Sequence, residues 1–250
     1  KNLLFVPILL SFFIAYLLVH FELMGLTEGT LAKGIHLGLF LIIMVISIIG
    51  GRVIPFFTEK GVAGTQSTKY AFIERTIIPL TALWVISTLT HYTIVIAVLS
   101  AALGMMNLIR LWGWFSRKIF AVPLVWILQL SYLFVIIGYL FYPLSLLDLL
   151  NPSIAYHAFA VGGIGGLTLG MMSRVSLGHT GRPLAAGPMM ITAFALLMLS
   201  ALLRISIDIM PLSYTGTLHL SGSLWIIAWL LFLIKYTSIL IKPRVDGLYG

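Results

Sequence analysis

Apolar residues run through this chain in stretches of membrane-crossing length, and the polar positions between them are few and clustered. Eight such segments stand out, at roughly 3–20, 31–50, 76–91, 93–111, 122–142, 152–172, 187–207 and 215–235. A spanning helix needs about 20 mostly apolar residues. A backbone in hydrocarbon must also satisfy its own hydrogen bonds, which makes helices the expected element. The punctuation fits helix ends: Asn151-Pro152 sets an N-cap residue before a first-turn proline, and Pro79, Pro123 and Pro188 fall in the first turns of their segments. Gly50-Gly51-Arg52-Val53-Ile54-Pro55 reads as the bend and stop of the second segment. No internal repeat, soluble domain or low-complexity linker interrupts the pattern. The expectation is an all-α, polytopic transmembrane helix bundle of about eight spans, with residues 1–250 as a single domain.

Composition turns that pattern into a membrane assignment. Hydrophobic residues make up 60% of the chain, charged residues 9%, and the mean hydropathy is +1.11. A soluble domain carries about a quarter of its residues as charges. Thirteen of the fifteen lysines and arginines fall on one side of the expected spans: Lys1, the 51–75, 110–118 and 173–186 loops, and the tail. Only Lys33 and Arg204 fall on the other. Positive charge collects in the cytoplasm, so both termini are expected there. The net charge of +8 is then a topology signal, and no basic patch interleaved with aromatics points to nucleic acid. The chain has no cysteine, which excludes thiolate-ligated haem, iron–sulfur clusters and thiol catalysis. Any metal must be held by histidine, methionine or oxygen.

The histidines acquire a pattern once the spans are oriented. His36, His157 and His219 each lie four or five residues into a segment running from outside to inside. At 1.5 Å per residue they share a depth of about 6–8 Å. His20 and His91 end segments that run outward, and only His179 lies on the inner side. Interfacial placement alone accounts for His20 and His91. For the three deeper rings, a hydrogen bond to a neighbouring helix competes with a shared metal or haem site, because ionisable groups inside spans are expensive and point to function. His36, His157 and His219 are therefore the metal-ligand candidates, with His91 and His20 as second choices.

Gly162, Gly166 and Gly170 recur every four residues, a small-xxx-small stripe that admits a close neighbouring helix or, less simply, a flat cofactor. His157 lies about 140° around the helix from Gly162, so the two face different neighbours. On the inner side, Arg174, His179 and Arg182 fall in a polar, glycine-broken turn. They either anchor at lipid phosphates or pair with an anionic group such as a haem propionate. A haem in the outer histidine layer lies beyond the reach of these arginines. Arg110 and Arg204 are expected to snorkel to their interfaces. The pairs Met105-Met106, Met171-Met172 and Met189-Met190 read as packing rather than copper(I) ligands. Glu22, Glu28, Asp148 and Asp208 fall in outer loops and form no proton relay across the membrane.

The segments "GGRVIPFFT" at 50–58, "HAFAVGGIGGLTLGMMSRVSLGHTGRPL" at 157–184 and "KYTSILIKPRVDG" at 235–247 resemble the NnrS family. The opening "KNLLFVPILLSFFIAYLLVHFE" is similar to the same family, so the resemblance runs along essentially the whole chain. Ser173 stands where the family often has threonine. Members are usually longer and begin with a "WHAHEM"-like run that is absent here, so the chain reads as the C-terminal part of a longer member, and ligands in that part would be missing. The resemblance implies a bacterial inner-membrane protein of the nitric oxide response that contains haem and copper. Its expected partners are the lipid bilayer, nitric oxide as a small gas ligand, and another membrane protein. Two other classes compete: a transporter or exporter of a metal or haem complex, using the glycine-rich helix as a gate, and a non-catalytic subunit of a larger membrane complex.

Overall fold

A computed structural model of the chain describes residues 3, 5–207 and 213–247. Lys1 and Asp208, which entered the charge pattern above, lie outside the described residues. Among the described residues every long element is a helix: α1 (Phe5–Leu23), α2 (Leu31–Gly61), α3 (Ala71–Ser87), α4 (Thr93–Trp114), α5 (Pro123–Leu146), α6 (Pro152–His179), α7 (Gly187–Ser206) and α8 (Tyr214–Leu240). Seven of them are long and apolar enough to cross a membrane. The exception is α3, whose 17 residues extend only about 26 Å and carry Glu74 in the first turn.

Two boundaries differ from the sequence reading. Helix α2 does not stop at Pro55 but runs through it to Gly61, a length of 31 residues. Its extra turns are held by α5 and the end of α4. Gln129 of α5 donates to the Thr58 hydroxyl at 2.9 Å and to the Trp114 carbonyl at 3.1 Å, and Pro55 itself is buried. Tertiary contacts thus offset the hydrogen bond that proline removes. Helix α3 begins at Ala71 rather than 76, which places Pro79 inside it instead of in its first turn. The other caps follow the sequence: Asn151 accepts from the Ser153 amide at 2.9 Å, and prolines open α5, α6 and α7. Glu22, at the end of α1, accepts from the Leu31 amide at 2.6 Å and so caps α2 from the preceding helix.

Helix α5 is the centre of the bundle, packing against α2, α4, α6 and α7. Lipid is as apolar as leucine, so this packing rests on dispersion and close fit rather than on escape from water. The glycine stripe supplies the fit. A Cβ added at Gly162 would strike the Phe134 ring, at Gly166 the Ser131 side chain, and at Gly170 Ile127 Cγ2 at 2.8 Å. All three meet α5, so the stripe seats a neighbouring helix. Residues Ala158–Gly165 form a π-helical stretch within α6, immediately after His157. Helices α7 and α8 pair closely through reciprocal bonds from the Ser200 hydroxyl to the Ser221 carbonyl at 2.8 Å and back at 3.0 Å.

Replacing Gly166 by valine should destabilise the bundle by about 1–3 kcal/mol through overpacking against α5. Gly38→Ala, at a position with nothing within 4 Å of an added Cβ, should stay within about 0.5 kcal/mol of wild type. Denaturant unfolding in detergent, followed by tryptophan fluorescence, distinguishes the two.

Candidate functional site

The five histidines expected on the outer side occupy different settings. His91 is exposed in the short link between α3 and α4. His20, in the last turn of α1, stacks on Tyr16 at 3.8 Å and meets its carbonyl through Nδ1 at 3.0 Å. His36 is half-buried on α2, its ring stacked on Tyr156 of α6 with centroids 4.6 Å apart and planes 20° from parallel. His157 is the residue after Tyr156, and adjacent helical positions do not share a face. His36 therefore lies on the α2 flank of α6, whereas His157 turns toward α7 and α8.

On that second flank His157 lines a cleft of about 340 Å³ with Val161, Ser200, Arg204, Leu218, Ser221 and Trp225. Its Nδ1 lies 2.6 Å from the Ser153 carbonyl and 3.0 Å from the Ser153 hydroxyl. A carbonyl can only accept, so Nδ1 donates to it. This is the arrangement that orients a metal-ligating imidazole. Arg204 of α7 is half-buried at the same cleft. His219 follows Leu218 on α8 but is exposed. Helix α8 packs mainly on α7 and the second half of α6, away from His36. Among the described residues no three histidine, aspartate or glutamate side chains gather into a group able to hold a metal ion. Each methionine pair divides, with Met105, Met172 and Met189 exposed and Met106, Met171 and Met190 turned inward.

The opposite end of α6 carries a second constellation. Arg174 is buried, its guanidinium 4.0 Å over the Phe57 ring of α2, and it lines a pocket with Lys60 and His179. Arg182 turns back to its own segment, 3.4 Å from the Thr180 carbonyl. Arg244 of the tail donates to the His179 carbonyl at 2.9 Å and to both oxygens of Asp246 at 2.9 and 2.5 Å. The bond from Asp246 raises the Arg244 pKa above its ordinary value.

A third constellation lies between α2, α3, α4 and α5. Arg110, 3% exposed, donates through Nε and Nη2 to the two oxygens of Glu74 at 2.8 and 2.9 Å. Its Nη1 reaches the Ser47 carbonyl at 3.1 Å and the Tyr132 hydroxyl at 3.0 Å. Tyr132 in turn donates to Asn107, and the guanidinium lies 5.1 Å from the Trp114 ring centroid. Arg110 therefore does not snorkel to the interface: a bidentate carboxylate and three further partners hold it inside. Gly51 is the space that admits it, because a Cβ there would overlap Nη2.

A family model described as NnrS protein matches residues 1–244. The chain belongs to the NnrS family. No curated relative and no solved structure matches it. It is a multi-pass membrane protein of that nitric oxide-response family, and the three constellations above are features of an NnrS chain.

Two of the motifs that carry the NnrS resemblance now have physical content. In "GGRVIPFFT", Gly51 makes room for Arg110 and Phe57 forms the face on which Arg174 rests. In the longer motif, His157 lines the cleft facing α7 and α8, and the glycines seat α5. Glu74, Asn107 and Tyr132 were not singled out from the sequence. The available signal was polar residues three apart, Asn107 and Arg110, inside an otherwise apolar helix.

Removing one member of the Arg110 pair should be costly, since the other charge is left buried. Glu74→Gln should lower the unfolding free energy by about 3 kcal/mol, near the lower bound for buried pairs because Glu74 is 28% exposed. The double variant Arg110→Leu with Glu74→Leu should lose less than the sum of its single variants. Equal, additive losses in denaturant titrations would show that the pair is not coupled.

Proposed function

We propose that this NnrS chain binds haem through His157 and acts in nitric oxide resistance by binding or redox-processing the gas. The observation that carries the reading is the His157 ring itself, with Nδ1 tied to the Ser153 carbonyl at 2.6 Å and the side chain at the mouth of a largely apolar cleft. A carbonyl bond of this kind orients a ligating imidazole and raises its basicity. Arg204 lies at the same cleft and supplies a cation for an anionic edge of a bound group. Ser200 and Ser221 face it as well, but spend their hydroxyls on each other's carbonyls and so contribute rigidity. A bound haem supplies an iron that can coordinate a diatomic gas. Nitric oxide is small and neutral, so it reaches such a cleft through lipid without a polar channel.

His36 and His219 remain ligand candidates of lower rank in this reading, one committed to a ring stack and the other exposed. The family resemblance adds copper, for which the described residues supply no group of three histidine or carboxylate ligands. His157→Ala should cut haem occupancy by about tenfold or more, read as the Soret band per protein. His219→Ala should retain it. If His157→Ala, His36→Ala and His219→Ala all keep haem and copper at wild-type occupancy, by spectrum and metal analysis, these histidines are not the site.

A further inference from the structure

Arg174 presents a problem that the haem reading does not absorb. It is 7% exposed, and no hydrogen-bond acceptor or carboxylate among the described residues pairs with it. Its guanidinium carbon lies 4.0 Å from the centre of the Phe57 ring. A buried cation without an anion is costly, whereas the same cation with a bidentate oxyanion is stabilised. The pocket it lines, about 430 Å³, is completed by Lys60, His179, Phe56, Val175 and Leu184. All of its charged or titratable lining groups are basic. Glu59, beside Lys60 in the chain, accepts from the Ser67 amide at 3.0 Å, and Asp246 holds Arg244. The rim is also fixed, because the tail binds it through Arg244 to the His179 carbonyl and Val245 to the Thr180 carbonyl.

We infer that this pocket binds the phosphate of an anionic phospholipid, with Arg174 and Lys60 on the phosphate oxygens and Phe56, Val175 and Leu184 along the acyl chain. Charge selects an oxyanion, and the planar guanidinium suits the bidentate geometry of phosphate. The apolar walls select a lipid over a free ion, and basic pockets between membrane helices are suited to such head groups. Arg174 lies 17 residues from His157 on one helix, about 25 Å along its axis. The occupant is therefore not a group held at His157, and the inference stands whether or not haem binds there.

The test uses the purified, delipidated chain in detergent, with phosphatidylglycerol, phosphatidylcholine and inorganic phosphate as separate probes. Phosphatidylglycerol should raise the melting temperature and remain bound in native mass spectra, with phosphatidylcholine giving a smaller shift. Arg174→Gln and Lys60→Gln should each weaken the phosphatidylglycerol half-saturation by about tenfold. Lys60 is exposed, so its variant keeps the fold even if the Arg174 variant does not. A shift with inorganic phosphate and none with phosphatidylglycerol overturns the lipid assignment. A phosphatidylglycerol response unchanged in Lys60→Gln and in a folded Arg174→Gln overturns the site.

Discussion

The contact between α5 and the glycine face of α6 is the packing on which the rest of the bundle depends. Phe134, Ser131 and Ile127 occupy the volume that side chains at Gly162, Gly166 and Gly170 would fill. Close approach here lets α5 touch α2, α4, α6 and α7 at once. In a lipid solvent there is no hydrophobic drive between helices, so the fit of these surfaces is what selects the neighbours. It also fixes the rotation of α6. With its glycines turned to α5, the helix presents Tyr156 to His36 on one flank and His157 to α7 and α8 on the other.

The polar groups are arranged around that frame in two ways. Arg110 is fully enclosed and fully partnered, joined to Glu74, Ser47 and Tyr132, with Asn107 completing the network. Four helices meet at this guanidinium, which makes it a register pin for α2, α3, α4 and α5. Arg174 is enclosed as well, yet its partner is an aromatic face. The difference between a satisfied and an unsatisfied buried cation separates a structural node from a binding pocket, although both arginines sit in apolar helices on the same side of the chain's spans.

Much of the fold was legible along the chain. Run length and hydropathy mark the helices, Asn151 marks an N-cap, and the four-residue glycine spacing marks a packing face. These are local properties, set by rise per residue and side-chain period. The failures were equally local in origin. Pro55 marks a stop in the sequence because proline removes a hydrogen bond, but α2 continues where α4 and α5 support it, and α3 begins early enough to place Pro79 inside it rather than in its first turn. Arg110 was read as a snorkelling residue because nothing beside it in sequence reveals Glu74, which is 36 positions away.

The candidate sites divide along the same line. His36, His157 and His219 each lie five residues after the start of their helix, a spacing the sequence alone gives. Whether that spacing becomes a shared site depends on helix order and rotation, which only the packing decides. Here packing stacks His36 on Tyr156, places His157 in a cleft with Arg204 and Ser221, and leaves His219 exposed. The sequence marked the helices and the family. The tertiary structure decided which residues meet, because contacts between distant helices depend on side-chain fit that no periodicity along one helix encodes.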